Sequence, residues 1–340
     1  MKTAVVILNW NGRHMLERFL PSVVANTTGD AEVIIADNGS TDDSIDFLKK
    51  NYPSLRLILM DRNYGFAEGY NKALAQINAD YYVLLNDDVE VTPGWNETVV
   101  AMMESESDIA IAQPKLLMFD RRDTFEYAGG AGGFIDKYGY PFCRGRLFST
   151  LEQDKGQYDD RREIFWASGA AMFVKADVWK ELGGLDGDFF AHMEEIDFCW
   201  RCKNRGYKVM YCPDATVYHV GGGTLPKSSP FKTQLNFRNN LSMLYKNLPD
   251  SRRCRVIALR IVLDWVAALS FLLKGNLGEF KAVFKAHKEF RQWKPGLRIK
   301  RTAALPNSQP APNDVSCIYQ GHLLIDYHLR GRKQFSQLGF

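Results

Sequence analysis

Short apolar runs alternate with amphipathic segments over roughly the first ninety residues, and this alternation constrains the fold more than any other feature. Four runs rich in β-branched and aromatic residues read as strands: AVVILNW, AEVIIADN, LRLILMD and YYVLLND. The segments between them have apolar residues three and four apart, which predicts helices. Strands that are apolar on both faces and separated by helices predict a parallel sheet covered on both sides.

Polar side chains stand at the carboxyl ends of three predicted strands. Asn9 ends the first, Asp37 the second, and Asp87 and Asp88 the fourth. Ligands of open parallel sheets bind beyond these strand ends. Two adjacent carboxylates suit a hard divalent cation that is shared with phosphate oxygens. Taken alone, however, the acidic pair is better explained by a solvated turn, and Asp37 is equally explained by a turn with a helix cap.

The motifs of several other enzyme classes are missing. The turn after the first strand reads NWNGRH instead of G-x-G-x-x-G, which disfavours a dinucleotide site, and no G-x-x-x-x-G-K-[ST] sequence exists. Ser168 in ASGAA lacks the G-x-S-x-G pattern of a strained nucleophile. The chain therefore offers carboxylates, and no activated serine, for chemistry.

A second acidic cluster lies in HMEEIDFCWR, which has a helical pattern. Helical spacing places Glu194, Asp197 and Arg201 on one face, with Glu195 beside the first of them. An exposed amphipathic helix would also explain these charges. His219 ends the predicted strand ATVYHV, and an isolated histidine is more often structural than a ligand.

Seven segments in a fixed order resemble a family of enzymes. They are VVILNWNG, ADNGSTDDS, NYGFAEGYNKAL, LLNDDV, GAAMFVKADVWKELGGLDGDFF, EEIDFCWR and YHVGGGT. In this order they are similar to family 2 glycosyltransferases, and most of all to the rhamnosyltransferase and galactofuranosyltransferase branch, over about residues 3 to 225. The resemblance implies the GT-A fold, a nucleotide-sugar donor, a Mg²⁺ or Mn²⁺ ion and inversion at the anomeric carbon.

The resemblance also implies roles for single residues. Those of the donor pocket are Asp37 as a ligand of the base, Asn9 and Asn11 at its border, Gly65 and Asn71 beside the nucleoside, and Asp87 as a ribose or water-mediated contact. The metal ligands are Asp88 and His219. The catalytic acids are Glu195 as the general base, with Glu194 and Asp197 nearby. The family's usual Glu-Asp pair reads Glu-Glu here, so which of the two is the base stays open.

The carboxyl-terminal part of the chain has a different composition. Between Arg252 and Arg301 there are thirteen Lys or Arg against three Asp or Glu, whereas the whole chain has a net charge of only +3. We expect a GT-A domain over residues 1–230 and a helical, basic region over 231–340. The apolar run 255–273 with basic flanks predicts either a helix on an anionic membrane surface or packing on the enzyme or in a homodimer. Scattered cysteines and no secretory signal favour a cytoplasmic enzyme, peripheral on the inner face of the membrane.

These features predict an inverting glycosyltransferase, specifically a hexosyltransferase, that builds cell-surface polysaccharide. The donor would be dTDP-rhamnose or another dTDP-, UDP- or GDP-sugar, and the acceptor a glycan or lipid-linked glycan, with no nucleic acid partner. A nucleotidyltransferase is one alternative, although NWNGRHML lacks the Gly-rich basic loop of such enzymes. A non-catalytic nucleotide-sugar-binding subunit is the other. The acids at 88, 194 and 195 and His219 argue against it.

Overall fold

A computed structural model describes residues 1–221, 229–304 and 315–340 of this 340-residue chain. The last part of the YHVGGGT motif and the LPNSQPAPND stretch lie outside the described residues. The first four strands are β1 (Thr3–Asn9), β2 (Ala31–Asp37), β3 (Arg56–Leu59) and β4 (Tyr81–Leu85), and the helices between them are α1 (Arg13–Asn26), α2 (Ser44–Asn51) and α3 (Gly65–Leu74). The predicted alternation is therefore confirmed.

The rest of the chain is more mixed. Its strands are β5 (Val89–Val91), β6 (Ile109–Met118), β7 (Gly133–Asp136), β8 (Pro141–Cys143), β9 (Arg146–Leu147), β10 (Thr150–Leu151), β11 (Arg162–Glu163), β12 (Ala171–Lys175), β13 (Lys208–His219) and β14 (Ile318–Tyr319). Its helices are α4 (Trp95–Glu104), α5 (Ala176–Leu182), α6 (Glu194–Asn204), α7 (Pro230–Asn247), α8 (Asp250–Leu273), α9 (Leu277–Ala304) and α10 (Leu323–His328). Short 3-10 turns cover Gly187–Phe189 and Phe335–Leu338.

The main sheet has the strand order β11-β13-β6-β12-β4-β1-β2-β3, with β5 added on β13. Strands β4, β1, β2 and β3 are parallel to their neighbours, as predicted. Strand β12 enters between β4 and β6 antiparallel to both. This antiparallel insertion was not predicted, because it depends on pairing between segments almost ninety residues apart.

Helices cover both faces of the sheet. In β1, Ala4 and Val6 join the core beneath α3, α5 and α6, whereas Val5 and Ile7 join the core beneath α1, α2 and α4. All four side chains are buried, which explains why the strand is apolar without alternation. The structure thus has the predicted α/β/α layers followed by carboxyl-terminal helices.

The carboxyl-terminal segment packs on a second, smaller sheet with the order β10-β9-β8-β7-β14. Strand β14 pairs in parallel with β7, and the rings of Phe335 and Phe340 contact Phe134 at centroid distances of 5.1 and 5.3 Å. The division at residue 230 stays a prediction. Any boundary there would separate residues that share one hydrophobic cluster.

Candidate active site

The sheet register places the predicted donor residues at one edge. Strand β1 is parallel to β2 and to β4, and Asn9 lies opposite Asp37. The turn that carries Asp87 and Asp88 follows β4 at the same edge. Parallel strands end together, so local sequence and register are sufficient to gather these side chains.

A hydrogen-bond network links the first two strand ends. Asn9 Nδ2 donates to Asp37 Oδ1 at 2.9 Å and to Ser40 Oγ at 3.0 Å. The Ser40 amide donates to Asp37 Oδ2 at 2.9 Å. Asn9 and Asp37 are buried, and Asn9 Oδ1 has no partner among the described residues. The network fixes the Asp37 carboxylate and leaves the buried Asn9 Oδ1 without a hydrogen-bond partner among the described residues.

Asn11 and Gly12 shape the turn after β1. Asn11 has a positive φ of 51°, and its Oδ1 accepts a hydrogen bond from the Thr41 amide at 2.7 Å. At Gly12, a side-chain carbon would lie 2.2 Å from Asp87 Oδ2 and 2.6 Å from Asn9 Oδ1. Only glycine therefore lets this turn approach the acid. Burial, followed by the charge of Asp88, raises the pKa of Asp87 to about 7.

Asp88 pairs with His219 at the end of β13. His219 Nε2 lies 3.0 Å from Asp88 Oδ1, and its Nδ1 lies 3.4 Å from Glu126 Oε1. Burial would lower the pKa of His219, but Asp88 and Glu126 outweigh it and raise it to about 10. Burial would raise the pKa of Asp88, but His219 and the Gly221 amide hold it below its usual value. In this state His219 is a buried imidazolium between two carboxylates.

The side chains of Asp88 and His219 suit a divalent cation that binds together with a diphosphate. Asp88 offers a carboxylate oxygen and His219 an imidazole nitrogen, 3.0 Å apart on one side of the turn. Among the described residues, no group of three or more acidic, histidine or cysteine side chains is arranged to hold a metal. Two protein ligands suit Mg²⁺ or Mn²⁺ when diphosphate oxygens complete the coordination. His219 can be a ligand only after it has lost its proton.

Glu194 and Glu195 begin helix α6. The Oε2 atoms of both are shielded from solvent and have no hydrogen-bond partner among the described residues. Burial raises the pKa of Glu195 to about 7, and burial together with the charge of Glu195 raises the pKa of Glu194 well above its usual value. A carboxylate with a pKa near neutrality is suited to accept a proton from a hydroxyl group.

The loop before α6, residues 189–193, is called the glutamate loop below. Contacts across the sheet edge bring it close to Asp87 and Asp88. The Asn86 amide donates to Ala170 O at 3.0 Å. The neighbouring Gly169 has no room for a side chain, since a Cβ would lie 2.9 Å from the Phe66 ring. The Phe66 amide, at the start of α3, in turn donates to Phe190 O at 2.7 Å. The loop before α6 therefore lies at the same edge as Asp87 and Asp88.

This loop has an unusual backbone. Phe190, His192 and Met193 all have positive φ values, of 65°, 70° and 73°. Such conformations are costly for residues other than glycine and persist only when their surroundings impose them. Helix α7 supplies that support: Asn239 Nδ2 lies 2.9 Å from Phe189 O, 3.0 Å from Ala191 O and 2.8 Å from His192 O.

Comparison with known proteins identifies relatives of this chain. Residues 4–130 match the family described as glycosyl transferase family 2. An N-acetylglucosaminyl-diphospho-decaprenol L-rhamnosyltransferase of Mycobacterium tuberculosis is 27% identical over 233 residues, which cover 63% of this chain and 75% of the relative. The dTDP-rhamnosyl transferase RfbF of Shigella flexneri is 24% identical over 229 residues, covering 63% and 71%. Residues 4–130 are therefore a glycosyl transferase family 2 domain.

Solved structures show that this glycosyltransferase has the GT-A fold. TarS of S. aureus, residues 1–349 with UDP-GlcNAc, superposes with a TM-score of 0.57 at 14% identity, covering 89% of this chain and 88% of TarS. GalNAc-T7 with UDP, GalNAc and Mn²⁺ gives a TM-score of 0.56 at 16% identity, covering 74% of this chain and 48% of GalNAc-T7. The family match of residues 4–130 favours glycosyl transfer over the nucleotidyltransferase alternative.

Three predicted site residues of the glycosyltransferase have other partners. Asp197 is fully buried, and its oxygens accept hydrogen bonds from Arg201 at 2.9 Å, Lys246 at 2.8 Å and Asn247 at 2.8 Å. Because no oxygen of Asp197 is exposed to a substrate, this geometry gives it a structural role and does not support a catalytic one.

The other two are on helix α3. Asn71 exchanges two 2.9 Å hydrogen bonds with the Leu185 backbone, and it lines a cavity of about 630 Å³ that reaches Tyr82 at the start of β4. Neither these hydrogen bonds nor this cavity supports the prediction that Asn71 lies beside the nucleoside. Gly65, with a φ of 75°, packs against Phe190, whose ring a Cβ would approach to 2.5 Å.

Sequence reasoning missed several residues that shape the site of the glycosyltransferase. Gly12 had a usable signal, since it follows Asn11 directly after a strand. Glu126 and Asn239 had none, because they reach His219 and the glutamate loop from segments that are 93 and 47 residues away from those contacts. Ser40 also belongs to the site: it precedes α2, which begins at Ser44, and it accepts a hydrogen bond from Asn9.

Proposed function

We propose that the enzyme transfers a hexose from a nucleoside-diphosphate donor to a hydroxyl group of a lipid-linked glycan, with inversion at the anomeric carbon. The observation that carries this proposal is the placement of the Asp88–His219 pair and the Glu194–Glu195 pair at one edge of the sheet. The first pair suits a metal-bound diphosphate, and the second suits removal of a proton from the acceptor.

Each residue of the donor half has a task in this proposal. Asn9 and Asp37 are held by hydrogen bonds and offer acceptors to the base or ribose, and Asp87 lies beside them. Asp88 and His219 would hold Mg²⁺ or Mn²⁺ against the diphosphate. A bound cation would supply Lewis-acid stabilisation of the leaving diphosphate.

The acceptor half performs the proton transfer. The Glu195 carboxylate takes the proton from the acceptor hydroxyl as its oxygen attacks the anomeric carbon, while the bond from this carbon to the diphosphate breaks. Burial and the neighbouring Glu195 charge keep Glu194 protonated, so a single negative charge serves the pair. Attack opposite to the leaving group inverts the configuration, and no covalent enzyme intermediate is needed.

The names of relatives support a donor and an acceptor class. Two of them are rhamnosyltransferases, and one is named for an acceptor with a diphospho-decaprenol group. We therefore propose dTDP-rhamnose as the first donor to test, and a prenyl-diphosphate-linked sugar as the acceptor, in cell-surface polysaccharide synthesis.

Helix α8 supports a position at the membrane. Among the described residues it is the helix that is long and apolar enough to cross a bilayer by length and composition. Its two interior charges point inward: Arg260 lies 3.3 Å from Asp264, which also lies 3.1 Å from His287. The outward face is exposed and apolar, comprising Ala258, Leu259, Val262, Trp265, Val266, Leu269, Leu272 and Leu273. We propose that this face enters one leaflet of an anionic membrane, at the cytoplasmic side.

Charge favours a bilayer over a second copy of the chain. Exposed cations at Arg255 and Lys274 flank the apolar face, and Lys281 and Lys285 follow on α9. Two copies packed through this face would bring like charges together, whereas an anionic lipid surface neutralises them.

The function is tested with purified full-length enzyme, a prenyl-diphosphate-linked acceptor, and dTDP-, UDP- and GDP-sugars, each with Mn²⁺ or with EDTA. We expect one class of donor to be consumed, EDTA to abolish transfer, and NMR of the product to show an inverted anomeric centre. Retained configuration, or full transfer in EDTA, would contradict the proposal.

A further inference from the structure

A small cationic cavity lies beside the apolar face of α8. It has a volume of about 210 Å³ and is lined by Lys137, Tyr138, Arg252, Arg255, Val256 and Leu259. Three of these residues are cations and none is an acid. No ion pair links Lys137, Arg252 or Arg255 to a carboxylate anywhere in the described ranges. Like charges held together without a counter-charge repel each other, so the cavity is suited to an anion.

The cavity is built from two elements that are held firmly. Arg252 and Arg255 are three residues apart on α8 and therefore share one face. Lys137 and Tyr138 follow β7, and Arg260 donates to Tyr138 O at 3.3 Å while Tyr138 Oη lies 3.2 Å from His322 Nε2. The three cations thus line one cavity from two backbone segments that are held in place.

The cavity continues into the exposed apolar face of α8. Val256 and Leu259 form its apolar wall, and Val262, Val266 and Leu269 extend the same side of the helix for about three turns. A ligand that fits both parts has a compact anionic group joined to a long hydrocarbon chain.

Helix α7 ties this cavity to the glutamate loop. Asn240 Nδ2 donates to Gly139 O at 2.8 Å, in the turn that follows Lys137 and Tyr138. The adjacent Asn239 donates to His192 O at 2.8 Å, two residues before Glu194. Side chains of consecutive α7 residues therefore contact the turn beside the cavity and the loop before the proposed general base.

We propose that the cavity of Lys137, Arg252 and Arg255 binds the diphosphate of the lipid-borne acceptor, while the α8 face receives its prenyl chain. This inference rests on the proposed function and names the part of the enzyme that recognises the acceptor. Guanidinium groups bind phosphate oxygens through paired, charge-assisted hydrogen bonds, which suits a diphosphate better than a neutral headgroup.

The test measures binding without any donor sugar or metal. Full-length protein is titrated with zwitterionic vesicles that contain either a long-chain prenyl diphosphate or the corresponding prenyl alcohol, and co-sedimentation with the vesicles reports binding. We expect the wild type to prefer the diphosphate vesicles by at least about tenfold, as two or three cations near a phosphate would give. Arg252→Gln/Arg255→Gln should lose most of this preference.

The matched control is Lys49→Gln/Lys50→Gln, which removes two exposed cations of α2 outside both the cavity and the proposed membrane face, and it should retain the preference. Lys137→Gln, on the wall of the cavity opposite α8, should cause the same loss of preference. Because this variant leaves α8 unchanged, the loss cannot then be attributed to misfolding of the α8 variant. No preference in the wild type, or equal losses in cavity and control variants, would overturn the proposal. Tight binding of soluble inorganic diphosphate, equal to that of the vesicles, would overturn the lipid assignment. Because the donor is absent, failure here is distinct from failure of sugar transfer.

Discussion

Glu194 and Glu195 are adjacent carboxyl groups at the start of α6, and both are shielded from solvent. They therefore titrate as a pair. We expect Glu195→Gln to lower kcat by at least about 10²-fold, the lower range for loss of a general base, with donor affinity unchanged. In the wild type, kcat should rise as the pH passes through about 7 and then level off, because the base must be ionised. The variant should lack this rise. If Glu194→Gln is the inactive variant instead, the base is Glu194.

A stability measurement separates this loss of activity from damage to the fold. The pKa of Glu195 is raised from 4.5 to about 7 in the folded protein, so its neutral form stabilises the fold fully at low pH. This contribution disappears as the pH rises from 4.5 through about 7. Glu195→Gln should therefore have a higher Tm than the wild type at pH 8 and a similar Tm below pH 4.5.

Asp88 is the residue on which the metal assignment depends. We expect Asp88→Ala to remove the Mn²⁺-dependent increase in Tm that a nucleotide-sugar produces in the wild type, and to abolish nearly all transfer. Glu126→Gln is the matched variant, because it contacts the other nitrogen of His219 and should cost about 10- to 100-fold in metal affinity without abolishing binding. Near-normal transfer by Asp88→Ala at saturating Mn²⁺ would refute the assignment.

At the scale of elements, helix α7 determines the geometry of the glutamate loop. Removing Asn239 releases three carbonyl groups of a loop that contains three positive-φ residues. A small displacement of a catalytic group is costly, so we expect Asn239→Ala to lower kcat by about 10²-fold while donor KM stays near that of the wild type. Asn236→Ala is the control, since among the described residues Asn236 Nδ2 binds Lys232 O of its own helix and no part of the loop. Equal effects of both variants would show that Asn239 serves helix stability alone.

The elements also show which parts of the fold were predictable. Strands β1 to β4 and helices α1 to α3 follow from local periodicity, and their parallel register brings Asn9, Asp37 and Asp88 together. The insertion of β12 and the links from Glu126 and Asn239 depend on distant segments, which leave no local pattern. Arg260 and Asp264 interrupt the apolar run of α8 in the sequence, and only the fold shows that both point inward.

At the scale of the whole molecule, the carboxyl-terminal region belongs to the same body as the catalytic layers. Lys246 of α7 lies 2.6 Å from Asp186 and 2.8 Å from Asp197, all three being buried. Strand β14 extends the second sheet, and Phe335 and Phe340 enter its core. A truncation before Arg252 would therefore expose the core and could not isolate a membrane function. Substitutions on the α8 surface test it without removing these contacts.

Val262 and Val266 are 50% and 62% exposed at the centre of the outward face of α8, so charged substitutions there should leave the fold intact. We expect Val262→Asp/Val266→Asp to retain the wild-type Tm and donor binding but to lose co-sedimentation with anionic vesicles, because the acids repel the surface and oppose apolar burial. Leu59→Asp, at a 54% exposed position on β3, is the matched control and should sediment normally. High salt should weaken wild-type binding by screening the basic residues, without abolishing the apolar part. Unchanged sedimentation of the α8 variant would refute the membrane assignment, and a wild-type dimer that this variant converts to a monomer would identify the face as a subunit interface.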